Sequence, residues 1–334
     1  MKAVVFTDIH YGLKNNSDDY NLMCNNFIDF MINETKDIDT CLFLGDWHHY
    51  RSNIGVNTLC ASIEGLKKIS KAYKKVYMLI GNHDMFYKNR LDIHSLSFAE
   101  LFPNVEVIKT PTLIEDNILL LPWLIEGDKV SNYNAEYIFA HAEIPSFNFN
   151  KKIKMDGLYN PKDYQKVKRV YSGHFHMRQL KNNIQYIGNC FSHDFSDVDD
   201  YHNKGFMVFD SNAENDEDLN KFYEWKDAPK YTIVKASDIK NIEMPSNANV
   251  KIINDLNKTS REMLKIKSEF QEKYDLKNCS IIPTEIDISN INIEPVEVNK
   301  LFQSLDITIL EMLEEVHYEN IDNELLQHIY KELN

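Results

Sequence analysis

The nine residues VYMLIGNHD, at positions 76–84, decide the fold class of this chain. Five apolar residues in a row, followed by a glycine, are typical of a parallel strand that is buried on both faces. The polar residues Asn82, His83 and Asp84 come directly after that glycine. Ligands of open α/β sheets bind beyond the carboxyl ends of the strands. The segment therefore predicts a buried strand that carries three polar side chains to one edge of a sheet.

Four more apolar runs in the first 176 residues end close to an aspartate or a histidine. These runs are residues 4–6, 41–44, 137–140 and 170–171. The polar residues that follow them are Asp8, His10, Asp46, His141, His174 and His176. If all the runs are parallel strands, their carboxyl ends bring these groups into one crevice. The pattern predicts a cluster of imidazoles and carboxylates, which is a metal-binding donor set.

The types and spacing of these residues predict two metal ions. In an extended segment, side chains two residues apart share a face, so Asp8 and His10 can both face the site. The two histidines within 174–176 have the same spacing. Asp46 can bridge two ions through its two oxygens, and Asn82 offers an oxygen that does not titrate. Nitrogen and oxygen donors without a thiolate suit Mn²⁺, Fe, Zn²⁺ or Mg²⁺, although several imidazoles argue against Mg²⁺ alone.

His83 and Asp84 are adjacent to Asn82, which suggests that Asn82 binds metal while His83 takes part in the reaction. An imidazole just outside the coordination sphere can stabilise a five-coordinate phosphorus or protonate a leaving oxygen. A neighbouring carboxylate can orient that imidazole. We therefore predict that His83 is catalytic and that Asp84 holds its ring. Hydrolysis of a phosphate ester is the expected reaction.

The net charge of −14 is distributed unevenly along the chain. Residues 1–209 carry 23 Lys and Arg against 25 Asp and Glu, whereas residues 210–334 carry 14 against 26. Lysine clusters at 67–75, 151–154 and 166–169 lie in the nearly neutral part, although each is more often a solvated face than a binding surface. Two divalent cations would add positive charge there. The N-terminal part therefore tolerates a polyanionic substrate.

Alternating strand and helix patterns organise the N-terminal half, with helices expected near 19–35, 54–72 and 95–102. Beyond about residue 105, short strands dominate, which suggests a second sheet packed on the first. We therefore predict a four-layer α/β/β/α sandwich over 1–235, closed by a strand pair near 221–226 and 231–235. A small α+β cap over 236–292 and a helical tail over 293–334 follow. The tail is acidic, and its apolar residues recur at helical spacing.

Composition also bears on the compartment. The five cysteines are odd in number and show no CxxC pair, which suits reduced thiols in a cytosolic protein. The longest apolar stretch, residues 118–125, contains a proline and is far below the roughly 20 residues that span a bilayer. We therefore expect a cytoplasmic protein without a membrane segment.

In order and spacing, these motifs resemble the calcineurin-like metallophosphoesterase family, and within it the nuclease subunit of the SbcCD and phage recombination-nuclease complexes. The subgroup resemblance rests on residues 81–89, 121–123, 171–176 and 186–188. Carried over by motif, it implies one metal bound by Asp8, His10, Asp46 and His176 and another bound by Asp46, Asn82, His141 and His174. It also implies that His83 is catalytic and that His49 is an auxiliary histidine. The chain departs from the family at Ala140 and at 189–191, where relatives have a glycine and a small residue before proline.

The resemblance implies a Mn²⁺-dependent DNA nuclease subunit in DNA recombination and repair, with exonuclease action on double-stranded ends and endonuclease action on single strands. It further implies an SMC-like coiled-coil ATPase partner, SbcC-like, that binds the tail over 293–334. A homodimer within a heterotetramer is expected, formed through the helices near 54–72 and 95–102.

Two other functions remain open from the residues alone. The same metal site serves stand-alone phosphodiesterases and phosphatases that act on a small molecule or a phosphoprotein. A scaffold with a vestigial site is a further alternative, but every expected ligand position and His83 hold competent residues. Taken alone, His141 would more often be a satisfied core histidine. His193 is expected to be a surface or structural residue, and Trp123 a packing residue rather than a base-stacking platform. The tail could equally pack on its own domain.

Overall fold

The structure is a computed structural model that describes residues 1–125, 134–148, 161–198 and 200–282. Its strands are β1 Lys2–Phe6, β2 Thr40–Phe43, β3 Lys75–Leu79, β4 Val105–Ile108, β5 Thr112–Ile114, β6 Ile118–Leu121, β7 Tyr137–His141, β8 Arg169–Gly173, β9 Gln179–Lys181, β10 Ile184–Tyr186, β11 Gly205–Asp210, β12 Asn220–Glu224, β13 Lys230–Lys235, β14 Ala248–Ile253 and β15 Leu276–Ile282. Its longer helices are α1 Asp18–Glu34, α2 Val56–Ala72 and α3 Ser260–Lys273. Single turns and 3₁₀ helices lie at Leu13–Asn16, Ser97–Leu101, Glu115–Asn117, Pro161–Tyr164, Phe195–Asp197, Tyr201–Asn203 and Asp216–Leu219.

Two six-stranded sheets face each other. The first has the order β12-β11-β1-β2-β3-β4, and the second has the order β5-β6-β7-β8-β10-β9. The strands β1 to β4 are parallel to one another, as are β6, β7, β8 and β10. Val5 and Leu79 of the first sheet and Phe139 and Tyr171 of the second belong to one buried apolar cluster between the sheets. The predicted two-sheet sandwich is confirmed.

The outer faces of the two sheets are covered differently. On the first sheet, α1 and α2 bury Phe27, Leu66 and Ile69 in a core with Phe6 and Phe43. This is the amphipathic packing that the spacing of α1 predicted. The outer core of the second sheet includes Tyr164 and Val167, next to the 3₁₀ turn at Pro161–Tyr164. The helix that was expected near 95–102 is a 3₁₀ helix at Ser97–Leu101.

A small third sheet, which we call the cap, has the order β13-β14-β15 with all strands parallel. That residues 236–292 form a capping domain stays a prediction. Helix α3 connects β14 to β15 and buries Met263 and Phe270 against Val250 and Ile252. The prediction that residues 231–235 pair with 221–226 to close the first domain is wrong, because β13 pairs with β14. The alternating pattern of β13 suits either sheet, and packing of Val234 in the cap core decides its partner. The helical tail expected over 293–334 lies outside the described residues.

The cysteines and the helices bear on the predictions of reduced thiols and of no membrane segment. All five cysteines are free, and Cys24, Cys41, Cys190 and Cys279 are buried, whereas Cys60 is exposed on α2. Within the described residues, no helix is both long and apolar enough to cross a bilayer.

Candidate metal centre

The predicted ligands lie in the loops that follow the strands, beyond the carboxyl ends of β1, β2, β3 and β8 and at the end of β7. Asp8, His10, Asp46 and His174 have φ angles of 53°, 53°, 63° and 87°. Such left-handed backbone is uncommon outside glycine and clusters at functional sites. Asp8 and His10 lie together, as predicted. The predicted cause, a shared face of an extended strand, is wrong. Tight left-handed turns bring them together instead of strand alternation.

Two glycines allow the loops to approach each other closely. A Cβ atom at Gly81 would collide with the carboxylate of Asp46, and one at Gly173 would collide with the hydroxyl of Thr7. Both glycines directly precede predicted site residues, Asn82 and His174. The site needs glycine here because a ligand-bearing loop passes where a side chain would otherwise lie.

The first predicted ligand group is assembled around His10. One ligand atom from each of Asp8, His10 and Asp46 lies within 4.8 Å of the others. The Nε2 atom of His10 is 3.7 Å from Oδ2 of Asp46 and 3.9 Å from Oδ1 of Asp8. This nitrogen is buried and has no hydrogen-bond partner among the described residues. The ring of His176 lies 5.4 Å from the ring of His10, centroid to centroid.

The second predicted ligand group is assembled around Asn82. Its Oδ1 atom lies 3.0 Å from Nε2 of His141 and 3.0 Å from Nδ1 of His174. Oδ2 of Asp46 lies 3.4 Å from Nε2 of His141. Asp46 therefore stands between the two groups, within reach of both His10 and His141. This is the position that a bridging carboxylate requires.

The hydrogen bonds around His141 fix which of its nitrogens faces the site. Its Nδ1 atom lies 2.7 Å from the carbonyl oxygen of Leu44, and a carbonyl only accepts, so Nδ1–H is the donor. The lone pair of Nε2 in the neutral ring then points toward Asn82 and Asp46. Acceptor atoms that converge in this way need a cation between them, and a second bond that orients a ligand histidine is typical of metal sites. The donor set fits two divalent ions.

The electrostatics of these side chains agree with this arrangement. Burial holds the pKa of His10 well below its usual value, with neighbouring histidines adding to the effect. Burial by itself would raise the pKa of Asp46, but His141 and His10 hold it well below its usual range. Burial opposes protonation of His141, yet the Asp46 carboxylate raises the pKa of that ring to about 9. The Asp46 carboxylate thus favours positive charge at the position between it and His141.

His83 lies beside the first ligand group without joining either set. Its backbone N–H donates to Oδ1 of Asp46 at 2.8 Å, and its Nδ1–H donates to the carbonyl oxygen of His49 at 2.7 Å. Its ring is 4.9 Å from the ring of His10, centroid to centroid. The ring of His49 stacks on it at 5.2 Å with an interplanar angle of 20°. The structure thus places the predicted catalytic and auxiliary histidines side by side.

The prediction that Asp84 orients the ring of His83 is wrong. The carbonyl oxygen of His49 has that position, and the Asp84 carboxylate accepts four backbone N–H groups, from residues 46, 47, 48 and 81. Ser95 donates to it as well. Asp84 therefore ties the loop after β2 to the loop after β3. It is a positioning residue for Asp46 and not a partner of His83.

Two residues near the ligands were not predicted from the sequence. His193 is 3% exposed, and its Nε2–H donates to the carbonyl oxygen of Asp8 at 3.0 Å. Glu143 lies 3.6 Å from Nε2 of His174, on the side of that ring away from Asn82, and the interaction lowers the pKa of Glu143. The signal for Glu143 was its place two residues after His141. His193 offered none, because its contact spans 185 residues.

Trp123 packs against the site, as predicted for a structural tryptophan. Its ring centroid lies 5.0 Å from that of His174 and 5.9 Å from that of His141. The side chain is half-buried. It covers the flank of the second ligand group.

The fold and the ligand cluster define a class of protein: a metal-dependent hydrolase of phosphate esters, built on two packed sheets. The chain belongs to the calcineurin-like phosphoesterase family, whose model matches residues 1–194. The match ends at β10 and the loop that contains His193, so it contains every predicted ligand.

Two individual proteins resemble this chain. Exonuclease subunit 1 of Enterobacteria phage T4 is 28% identical over 277 residues, which are 79% of this chain and 78% of that protein. Among solved structures, the nuclease MPE of Pseudomonas putida matches with a TM-score of 0.31 and 19% identity. That match covers 55% of this chain, and the chain spans 66% of the length of that structure.

Proposed function

We propose that this protein is a two-metal DNA nuclease subunit that hydrolyses phosphodiester bonds, with Mn²⁺ as its metal. The approach of oxygen atoms from Asp46 and Asn82 to Nε2 of His141 carries the metal assignment, because a bound cation satisfies all three acceptors together. Similarity to a phage exonuclease subunit across most of both chains supports DNA as the substrate. Exonuclease action on double-stranded ends and endonuclease action on single strands are the proposed activities.

Seven residues would hold the two ions, in the groups proposed from the motifs. Asp8, His10, Asp46 and His176 form one group, and Asp46 with Asn82, His141 and His174 forms the other. Bound divalent cations supply Lewis acidity, lowering the pKa of water and neutralising charge on phosphate oxygens. The protein itself would keep bulk water from the buried side of the site, where Asp8 and Asp46 are 0% and 2% exposed.

His83 would donate the proton that the leaving oxygen needs. Because its Nδ1–H is engaged by the carbonyl of His49, its Nε2 atom is the one available to the substrate. The protonated ring then donates from Nε2 to the leaving 3′ or 5′ oxygen. His49, stacked on the same ring, would contact the nucleic acid as an auxiliary group.

The loop after the catalytic histidine has features that suit DNA. The Phe86 N–H donates to the carbonyl of Ile93, so residues between them form an exposed projection beside His83. Phe86 is 45% and Tyr87 41% exposed, and the Arg90 guanidinium lies 4.1 Å from the Tyr87 ring centroid. Exposed aromatic rings with a cation are the common means of contacting unpaired bases and phosphates. The loop would contact DNA next to the site of cleavage.

We also propose a partner and an oligomer. The relative is a subunit, and the acidic tail over 293–334 would bind an SMC-like coiled-coil ATPase that holds DNA in the cytoplasm of a bacterium or phage-infected host. A homodimer would form through α2 and the following 3₁₀ helix, where Val56 is 78% and Leu101 83% exposed. Deleting 293–334 should abolish binding of the ATPase while Mn²⁺-dependent hydrolysis of a small ester continues. Retained binding would contradict the assignment of the tail.

The substrate experiment compares a 3′-labelled DNA duplex with a chromogenic phosphodiester in the presence of Mn²⁺. We expect nucleotides to be released from the duplex, and the double variant Phe86→Ala/Tyr87→Ala to lose more activity on DNA than on the small ester. The matched control is the exposed pair Leu113→Ala/Leu180→Ala, which lies on the second sheet. Hydrolysis of the small ester without any cleavage of DNA would contradict the nuclease and favour a stand-alone phosphodiesterase.

A further inference from the structure

A lysine is completely buried next to the candidate metal centre. Lys204, just before β11, has 0% of its side chain exposed. Its ammonium lies 3.1 Å from Oδ1 of Asp197 and 2.8 Å from Oδ2 of Asp200, which are themselves almost fully buried. Lysine is among the residues that are least often buried, because removing its charge from water is costly. A buried lysine with two carboxylates therefore needs an explanation.

The third contact of the ammonium reaches a metal ligand. Lys204 Nζ donates to the backbone carbonyl oxygen of His176 at 2.8 Å. The N–H of Asn189 donates to the same carbonyl at 3.2 Å. Two donors thus hold the backbone of His176, and the loop after β8 cannot shift without breaking a charged hydrogen bond.

The carboxylate of Asp197 extends the network to a second ligand. Its Oδ2 atom accepts the backbone N–H of His193 at 2.9 Å and the side-chain amide of Asn189 at 3.2 Å. His193 in turn donates from Nε2 to the carbonyl of Asp8 at 3.0 Å. Asp8 has left-handed backbone, a conformation that persists only where its surroundings impose it. The chain of contacts runs from Lys204 through Asp197 and His193 to Asp8.

Both ends of this network therefore reach the same predicted ligand group. His176 and Asp8 belong to the group around His10. His174 is reached only one step further on, through its N–H, which donates to Oδ2 of Asp8 at 3.1 Å. His141 is oriented by the carbonyl of Leu44, and His174 lies against Glu143, whose side chain is 26% exposed. A lysine that only stabilised the fold would have no reason to favour one group.

We propose that Lys204, with Asp197 and His193, positions Asp8 and His176 and so sets the affinity of one of the two metal ions, the ion bound around His10. This inference rests on the two-ion assignment of the proposed function. Lys204 touches neither ion nor substrate and acts through the backbone of His176. Removing a hydrogen-bond partner that orients a metal ligand typically weakens metal binding by about 10- to 100-fold.

The experiment measures Mn²⁺ binding to the full chain by titration calorimetry and electron paramagnetic resonance. Lys204→Met keeps the length of the side chain and removes its charge. We expect one of the two Mn²⁺ ions to bind about 10- to 100-fold more weakly and the other to be unchanged within about twofold. Lys168→Met is the matched control, because it removes a lysine from an exposed ion pair with Glu136. It should leave both affinities unaltered.

Single-ion backgrounds identify the ion that is affected. In His174→Ala, which retains the group around His10, Lys204→Met should weaken Mn²⁺ binding. In His10→Ala, which retains the other group, it should have no effect. Equal weakening in both backgrounds would show a general loosening of the fold and overturn the inference, as would unchanged affinity in both.

A further variant guards against unfolding. If Lys204→Met leaves the carboxylates uncompensated and does not fold, the triple variant Lys204→Met/Asp197→Asn/Asp200→Asn removes all three charges together and is tested in the same backgrounds. Wild-type protein that binds fewer than two Mn²⁺ would contradict the proposed function. Two bound Mn²⁺ with no selective effect of the variants would contradict this inference alone.

Discussion

The two halves of the candidate metal centre contain similar ligands but are supported in different ways. Around His10, a buried network of Lys204, Asp197 and His193 holds the backbone of the ligands. Around Asn82, the Leu44 carbonyl orients His141, and the partly exposed carboxylate of Glu143 lies against His174. The N–H of His174 also donates to the carboxylate of Asp8, a ligand of the first half. Buried charged contacts are rigid and costly to break, whereas a partly exposed one is screened by water. One ion would therefore be held in a fixed half of the site and the other in an adaptable half.

The largest effect should come from the residue that the two halves share. Asp46→Ala removes the carboxylate that stands between His10 and His141. We expect both Mn²⁺ ions to be lost and Mn²⁺-dependent hydrolysis to fall to background. Metal content per chain and turnover are the measurements, with the exposed Asp39→Ala as control. Retention of one tightly bound ion would show that the halves are independent.

Removing the proposed catalytic histidine should separate chemistry from metal binding in both halves. His83→Ala should lower kcat by about 10²- to 10⁴-fold, because proton donation is worth that factor. Both Mn²⁺ ions should stay bound, since His83 belongs to neither ligand group. Steady-state kinetics beside a metal count tests this. Full turnover in the variant would exclude His83 as the acid.

The supports of the two halves should differ in their effect on folding. Lys204→Met leaves buried carboxylates unpaired, and we expect it to lower the free energy of unfolding by about 3–5 kcal/mol, the usual cost of breaking a buried pair. Glu143→Gln should leave stability nearly unchanged and weaken one ion by no more than about tenfold. Denaturant titrations in EDTA and Mn²⁺ titrations measure the two effects. Similar losses of stability in both variants would remove the distinction between a fixed and an adaptable half.

The smallest effect is a dependence on pH. Burial opposes ionisation of Asp197, but Lys204, His176 and His193 hold its pKa below the usual value. The unfolded chain then binds the proton more readily, so the stabilisation is complete above the ordinary aspartate pKa of about 3.9 and is lost as the pH falls below it. Unfolding in EDTA at pH 7, 4 and 3 should show this loss, and Asp197→Asn should reduce it. An unchanged acid slope in the variant would contradict the charge pairing.

The sequence predicted the sheets correctly, and it proposed ligands that the structure brings together, because both depend on local patterns. Apolar runs that end in polar residues mark the strands and the positions of Asp8, Asp46 and His141. The partner of a strand is a different matter, and β13 was assigned to the wrong sheet because its alternation suits either one. The role of Asp84 was misassigned for the same reason, since adjacency along the chain does not determine what a side chain contacts.

By itself the sequence determined which residues are competent to bind metal and the order in which strands deliver them, because periodicity and side-chain chemistry act over a few residues. Only the tertiary structure decided how the site is supported. The contact from His193 to Asp8 spans 185 residues, and that from Lys204 to His176 spans 28. The left-handed turns and the glycines that accommodate them likewise depend on a facing loop. Such contacts arise from packing between distant segments, and no local pattern encodes which segments will meet.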